Sequence, residues 1–415
     1  MPAKTASPTI EKTFHSAAHV RRLPERDVLE EGWLHQLFLI THVLAAWPAW
    51  KLALMVLGAT ALVWYVWLPL GPFSLTAAAI FLGFVLLDWA LLLNLPQAGL
   101  SYGPVGPQLL VMTTPRLVSA VLLGLVARLA GWHGAAVVPI SGLSLIQMLG
   151  AAVYVWGALV EPFRLTLTRR KLHSAYLKGA SPPIRLLHIS DLHIERLTRR
   201  EAFLLELVAE AKPDLIVITG DYLNLSYVDD PLARSEVRKL LARLHAPLGV
   251  YATLGSPPVD PRTTTPSLFE GLEHIRLLRD EVAVLNLPDG RRLSLLGLDC
   301  DHALDIDAEV FRALVDLAPA DSARILLYHS PELMPLVQQY PVDLYLCGHT
   351  HGGQVRLPVF GALLTSSALG KRYEMGLYQE QGTTLYISRG VGLEGLSAPR
   401  LRLLCPPEII LWELS

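Results

Sequence analysis

Asp343-Leu344-Tyr345-Leu346-Cys347-Gly348-His349-Thr350-His351 is the stretch on which the reading of this chain turns. Its four apolar residues suit a strand buried on both faces, and the glycine frees the backbone for a sharp turn. Two imidazoles one residue apart, on a loop leaving such a strand, can reach two neighbouring metal ions. A His-x-His pair by itself also occurs in ordinary loops and cores. Here three further motifs stand at the C-terminal ends of apolar runs: Asp191-Leu192-His193 after 184–189, Gly220-Asp221 after 214–219, and Tyr328-His329-Ser330 after 324–328.

Strands and helices alternate around these motifs. Residues 199–211 carry apolar side chains at helical spacing, and helices also fit 231–245, 307–317 and 331–339. Further strands fit 249–254, 282–287 and 292–298, and beyond 351 the pattern turns β-rich at 354–357, 384–388 and 408–413. This alternation specifies a layered α/β domain. In open α/β sheets, sites form beyond the carboxyl ends of strands, where all four motifs fall.

In this order and spacing, the motifs resemble those of the calcineurin-like metallophosphoesterases, over roughly residues 182–415. The resemblance implies a β-sandwich of two mixed sheets flanked by helices. It also implies metal-dependent hydrolysis of a phosphate ester or pyrophosphate with two divalent ions, Mn, Fe or Zn. Carried over residue by residue, Asp191, His193, Asp221 and His351 hold one ion. Asp221 bridges to the second, which also takes His329 and His349. Two such ions, about 3.5–4 Å apart, activate a water and neutralise the phosphoryl oxygens.

One motif departs from the family pattern. There the third strand ends in Gly-Asn-His followed by Asp or Glu; the Asn ligates the second ion and the His protonates the leaving group. Here the stretch is Thr253-Leu254-Gly255-Ser256-Pro257-Pro258. Ser256, at the Asn position, is shorter and a poorer neutral ligand. Pro257, at the His position, can neither ligate nor transfer a proton. General acid catalysis is typically worth about 10²–10⁴-fold. An acidic leaving group, as in a pyrophosphate, would need little protonation. His302, in Asp299-Cys300-Asp301-His302, is either a substitute from another loop or simply a loop residue, and His188 reads as a strand residue.

Other stretches resemble the membrane-associated branch of the family, which includes enzymes similar to UDP-diacylglucosamine pyrophosphate hydrolases. They are Gly348 to Pro358, Leu385-Tyr386-Ile387-Ser388-Arg389-Gly390-Val391-Gly392, and Cys405-Pro406-Pro407-Glu408. Gly352-Gly353 lets backbone approach a phosphate closely. Arg389 is a candidate substrate-phosphate contact or a structural salt bridge. A competing reading follows from Ser256-Pro257-Pro258: a degenerate, non-catalytic protein that binds a metal or a phospholipid headgroup.

The remainder of the chain is membrane-like. Its 415 residues carry a formal net charge of −2, 52% hydrophobic residues and a mean hydropathy of +0.39. Such a length predicts at least two domains. No charged residue occurs from Leu52 to Leu87, and none from Leu129 to Val160. Spans of about 20 apolar residues cross a bilayer, which places helices near 52–70, 74–95, 112–131 and 137–160, with Arg116 and Arg128 bracketing the third. The division is a basic, interfacial arm at 1–50, about four spans in 51–162, a basic linker at 163–182 and the phosphoesterase domain at 183–415. Basic residues flank both ends (Lys4, Lys12, Arg21, Arg22, Arg26 and Lys51; Arg164, Arg169, Arg170, Lys171 and Lys178), which places both in the cytoplasm. The protein is thus expected in the cell membrane, meeting membrane lipids and a phosphorylated small-molecule or lipid-linked substrate. Asp88, inside the second run, reads as facing a partner helix or an interface, or as a functional acid. The cysteines, Cys300, Cys347 and Cys405, are widely spaced and suggest neither a disulfide framework nor a zinc ribbon. There is no basic block of the kind that binds nucleic acid.

Overall fold

The computed structural model describes residues 43–132, 137–179, 182–287, 289–396, 398 and 400–415. Lys4, Lys12, Arg21, Arg22 and Arg26 of the basic arm lie outside the described residues. The chain forms two compact units, one of helices (to Val160, with Glu394–Leu401) and one of sheets (Glu161–Leu393 with Arg402–Ser415).

Among the described residues, four α-helices make the first unit: α1 (Ala49–Trp67), α2 (Phe73–Asn94), α3 (Val105–Leu129) and α4 (Val137–Val155). With their continuing turns they run 22, 22, 25 and 27 residues, each long and apolar enough to cross a membrane. Leucines, valines and aromatics such as Leu57, Tyr65, Leu87, Leu122 and Leu149 point outward. In a water-soluble helical domain that much outward apolar surface would be unstable against association; facing lipid, it is stable.

Expectation and structure differ most at α3, which begins at Val105 rather than 112. Arg116, expected to bracket the apolar core, sits buried in mid-helix. Its Nε and Nη2 donate to the Asp88 carboxylate on α2 at 2.6 and 2.9 Å. Its Nη1 donates to the Gln147 backbone oxygen and Oε1 on α4, at 2.9 and 3.0 Å. The charge is therefore paired across three helices, and Asp88 faces a partner helix. Nearby, Trp67 is wholly buried and donates its indole N–H to the Ala120 carbonyl at 3.0 Å, where Gly124 leaves room for the ring.

Among the described residues, two six-stranded sheets make the second unit. The first runs β1-β14-β2-β3-β4-β5: Thr166–Leu172, Glu408–Leu414, Ile184–Ile189, Leu215–Thr219, Val250–Thr253 and Ile275–Leu277. The second runs β12-β13-β9-β8-β7-β6: Gly376–Glu380, Thr383–Ile387, Leu344–Cys347, Ala323–Leu327, Arg292–Gly297 and Glu281–Asn286. Strands β2 to β5 are mutually parallel, as are β7, β8, β9 and β13. A two-stranded hairpin, β10 (Arg356–Leu357) with β11 (Gly361–Ala362), stands apart.

The period-two geometry of a strand explains the layering. In β3, Leu215 and Val217 enter the core between the sheets with Tyr251, Leu295, Ile325, Leu346 and Trp412. Ile216 and Ile218 point the other way, onto α5 (Arg199–Ala211) and α6 (Pro231–Leu241), which cover the first sheet. On the outer face of the second sheet, Val310, Phe311 and Leu314 of α7 (Leu304–Leu317) pack on Leu296, Leu326 and Tyr345. Strands buried on both faces read as continuous apolar runs, which is why the sequence showed them. α5 starts with a capping box in which Thr198 and Glu201 each bond the other's backbone.

Three local expectations fall short. The helix read at 331–339 is only the single turn α8 (Met334–Val337), and the strand read at 354–357 keeps two paired residues. Gln354, at φ +52°, turns the backbone, Val355 makes an isolated parallel bridge to Leu403, and Arg356 and Leu357 alone of this stretch pair with β11. Residues 166–172, inside the stretch read as a basic linker, form β1, paired parallel to β14 at the sheet edge.

The Arg116 network yields a prediction. Arg116→Met should leave Asp88 buried and unpaired and destabilise the helical unit by about 3–5 kcal/mol. Thermal unfolding in detergent checks this, and adding Asp88→Leu should recover most of the loss. A single variant as stable as the parent would show that the pair does not hold the helices.

Candidate metal centre

The parallel strands deliver their loops to one end of the sheets. Asp191 and His193 follow β2, Asp221 follows β3, Ser256 follows β4, His329 follows β8, and His349 and His351 follow β9. All seven are buried, none more than 7% exposed. Five of them have left-handed backbone: Asp191 (φ 51°), His193 (42°), Asp221 (57°), His349 (70°) and His351 (50°). That conformation costs an L-residue about 1–2 kcal/mol, and such outliers gather at functional sites. Main-chain bonds fix it: Asp191 N to Gly220 O at 3.1 Å, His193 N to Asp221 O at 3.0 Å, Gly392 N to Asp191 O at 2.7 Å. Two glycines are required by contact, since a Cβ on Gly348 would overlap the Asp191 carboxylate and one on Gly255 the Asp221 carboxylate.

The side chains converge. His193 Nε2 and His351 Nε2 face each other at 2.9 Å, and His351 Nε2 lies 3.5 Å from Asp191 Oδ1. Asp221 Oδ2 lies 3.2 Å from His329 Nε2 and 3.5 Å from His193 Nε2. The ligand atoms of Asp191, His193 and His351 lie within 4.8 Å of one another, as do those of Asp191, Asp221 and His329. The far ring nitrogens donate to carbonyls: His329 Nδ1 to Thr219 at 2.7 Å, His349 Nε2 to Ser366 at 2.7 Å, His193 Nδ1 to Leu223 at 3.3 Å. Such outer bonds orient an imidazole so that its other nitrogen faces a metal. The buried His329 Nε2 faces the Asp221 carboxylate, and Asp191 Oδ1 faces His351. The donor set suits divalent transition ions. The residues fit the group.

Charge in the cluster is tightly linked. Burial lowers the His329 pKa, but the Asp221 and Asp191 carboxylates outweigh it and lift the group to about 10. Burial likewise opposes ionisation of Asp221, yet His329 and His193 hold its pKa below the usual carboxylate range. Burial raises Asp191. Burial, then His302 and His329, depress His349; burial, then His193 and Arg402, depress His351. Without a cation, then, His329 keeps a proton against Asp221.

Of the two roles left open for Arg389, the structure shows the salt bridge: Nη2 donates to Glu408 Oε2 at 2.7 Å. His188 is a buried strand residue bonded to Thr219 Oγ1 at 2.8 Å, and burial pushes its pKa down to about 3. Two contributors had escaped the sequence reading. Arg402, wholly buried, donates to the carbonyls of Arg389 and Gly392 at 2.8 and 2.6 Å and lies 3.3 Å from His351 Nδ1. Asp260 accepts the N–H groups of Asp221, Gly255 and Tyr222 at 2.7, 2.8 and 3.2 Å, with its pKa pushed up to about 6 by burial and by Asp221. An acid soon after the strand-end glycine was the signal available for Asp260; for Arg402 there was none. The cysteines are free, buried thiols.

His329 is protonated below about 10, so a cation must displace that proton, and affinity should strengthen as pH rises. Between pH 6 and 9 the apparent metal affinity should climb about tenfold per unit for one proton released. Calorimetry in buffers of different ionisation enthalpy measures the release; none at all would contradict this charge assignment.

Residues 184–256 match the family model described as calcineurin-like phosphoesterase. The chain is 29% identical over 267 residues to the uncharacterized metallophosphoesterase YkuE of Bacillus subtilis, covering 63% of this chain and 90% of that one. It is 32% identical over 262 residues to the phosphodiesterase YaeI of Escherichia coli, covering 61% and 90%. It is 27% identical over 332 residues to the UDP-2,3-diacylglucosamine pyrophosphatase LpxG of Chlamydia trachomatis, covering 65% and 95%. With its two-sheet fold and its clustered carboxylates and imidazoles, the chain belongs to the calcineurin-like phosphoesterase family.

Proposed function

We propose that this chain is a membrane-anchored, metal-dependent hydrolase of a phosphate ester or pyrophosphate, acting on a lipid-linked substrate at the cytoplasmic face of the cell membrane. The observation that carries the reading is the convergence of Asp191, His193 and His351, and of Asp191, Asp221 and His329, with the His349 ring beside His329 and the outer nitrogens of His193, His329 and His349 bonded to carbonyls. Asp191, His193, Asp221 and His351 would hold one divalent ion, and Asp221, His329 and His349 a second; Mn, Fe and Zn suit these donors. Such ions supply neutralisation of phosphoryl oxygens and lower the pKa of a water.

The residues around them limit the chemistry. Pro257 offers no proton to a leaving group, which favours a leaving group stable as an anion, such as the phosphate released from a pyrophosphate. A relative named as a UDP-2,3-diacylglucosamine pyrophosphatase supports that linkage and an acylated substrate. The four membrane-length helices support a substrate held in the bilayer. Arg164, Arg169, Arg170, Lys171 and Lys178 follow the last of them, which supports a cytoplasmic domain. The second reading, a protein that binds metal or a phospholipid headgroup without turnover, is favoured by Ser256-Pro257-Pro258.

The test uses the purified full chain in detergent with Mn. It should hydrolyse an activated aryl phosphodiester and an acylated UDP-sugar pyrophosphate, and act far more slowly on an alkyl phosphodiester. A chelator should abolish turnover, and His351→Ala should lower it at least about 10²-fold by removing a ligand. Metal bound without turnover on any of the three would establish the non-catalytic reading.

A further inference from the structure

We propose that His302 supplies the second-metal ligand that the family takes from asparagine at the end of its third strand, so that Asp221, His329, His349 and His302 hold that ion together. The assignment rests on the metal-dependent reading above and adds a ligand from outside the family's motifs.

His302 lies on the loop between β7 and α7, and β7 runs parallel to β8, so this loop opens at the same end of the sheet as His329. It is buried, and its backbone is left-handed at φ 54°, like most of the candidate ligands. Its Nε2 lies 3.0 Å from Ser256 Oγ, and the same oxygen lies 3.3 Å from His349 Nδ1. Ser256 Oγ therefore stands within hydrogen-bond distance of both imidazoles. The His302 and His349 rings are 4.8 Å apart and the His349 and His329 rings 5.2 Å. Because the Ser366 carbonyl takes the proton on His349 Nε2, Nδ1 is the nitrogen that presents a lone pair on this side. Asparagine reaches one bond further than serine, and the imidazole of His302 fills the space that the shorter residue leaves.

The two loops are built together. Arg262 donates to the Asp260 and Gly255 carbonyls at 2.8 and 3.0 Å and to Asp301 Oδ1 at 2.9 Å. One guanidinium therefore ties the Ser256 turn to the residue next to His302. Asp299, at the base of the same loop, takes the Arg279 Nε–H at 2.5 Å, and its own N–H donates to Asp280 at 3.0 Å. Positions fixed in this way before an ion arrives are what a ligand needs.

Mn titration of the purified full chain in detergent, followed by calorimetry and by elemental analysis, tests the assignment. The parent should bind two ions. His302→Ala should keep the first and lose at least about tenfold in affinity for the second. His302→Gln retains a hydrogen bond to Ser256 but is a weak ligand, and it should show the same loss; a merely structural role for His302 would leave it unaffected. Ser256→Asn added to His302→Ala should recover the second site, because it restores the family's own ligand. Two ions bound with unchanged affinity in His302→Ala and His302→Gln, while His349→Ala drops to one, would overturn the assignment and leave the metal-dependent reading standing. No Mn bound by the parent would overturn both.

Discussion

The Asp221 carboxylate is the point on which the site depends. Oδ2 lies 3.2 Å from His329 and 3.5 Å from His193, while Oδ1 accepts the Ser256 N–H at 2.9 Å. Its own N–H is held by Asp260, and its carbonyl by His193 N. Four loops therefore meet at one residue in left-handed backbone. The arrangement is stable only because β2, β3 and β4 are parallel neighbours whose ends open together. A buried carboxylate surrounded by imidazoles is unsatisfied electrostatically unless protons or cations occupy the space. Here that requirement is local, strong and built into the fold.

Much of this was legible in the sequence for a physical reason. Strands covered on both faces must be apolar throughout, so 184–189, 214–219 and 324–328 marked themselves, and the polar residues following them stood out. The same logic explains what stayed hidden. β1 reads Thr-Leu-Thr-Arg-Arg-Lys-Leu because it is an exposed edge, and its pairing to β14 spans more than half the chain. The Asp88–Arg116 pair looked like two separate interruptions, since a charge only makes sense once its partner helix is known. His302, Arg262 and Arg402 act through contacts between loops that no local pattern encodes.

The broken Gly-Ser-Pro-Pro motif changes meaning once the neighbouring loop is in view. Read alone, it removes a ligand and an acid. Beside His302, it is one half of a rebuilt wall, joined to the other half by Arg262. What does not return is a proton donor at position 257, and that constrains the substrate more than the metals. A buried carboxylate–imidazole cluster alongside the loss of the acid suits a leaving group that needs no proton.

The most direct measurement is anomalous X-ray scattering from crystals of the full chain grown with Mn. The account requires two peaks about 3.5–4 Å apart, one between Asp191, His193 and His351 and one between His329, His349 and His302, with Asp221 reaching both. A second peak without His302 in its coordination would leave the family site intact and remove the rebuilt wall. No peak among these side chains would contradict the central claim that this cluster exists to hold metal.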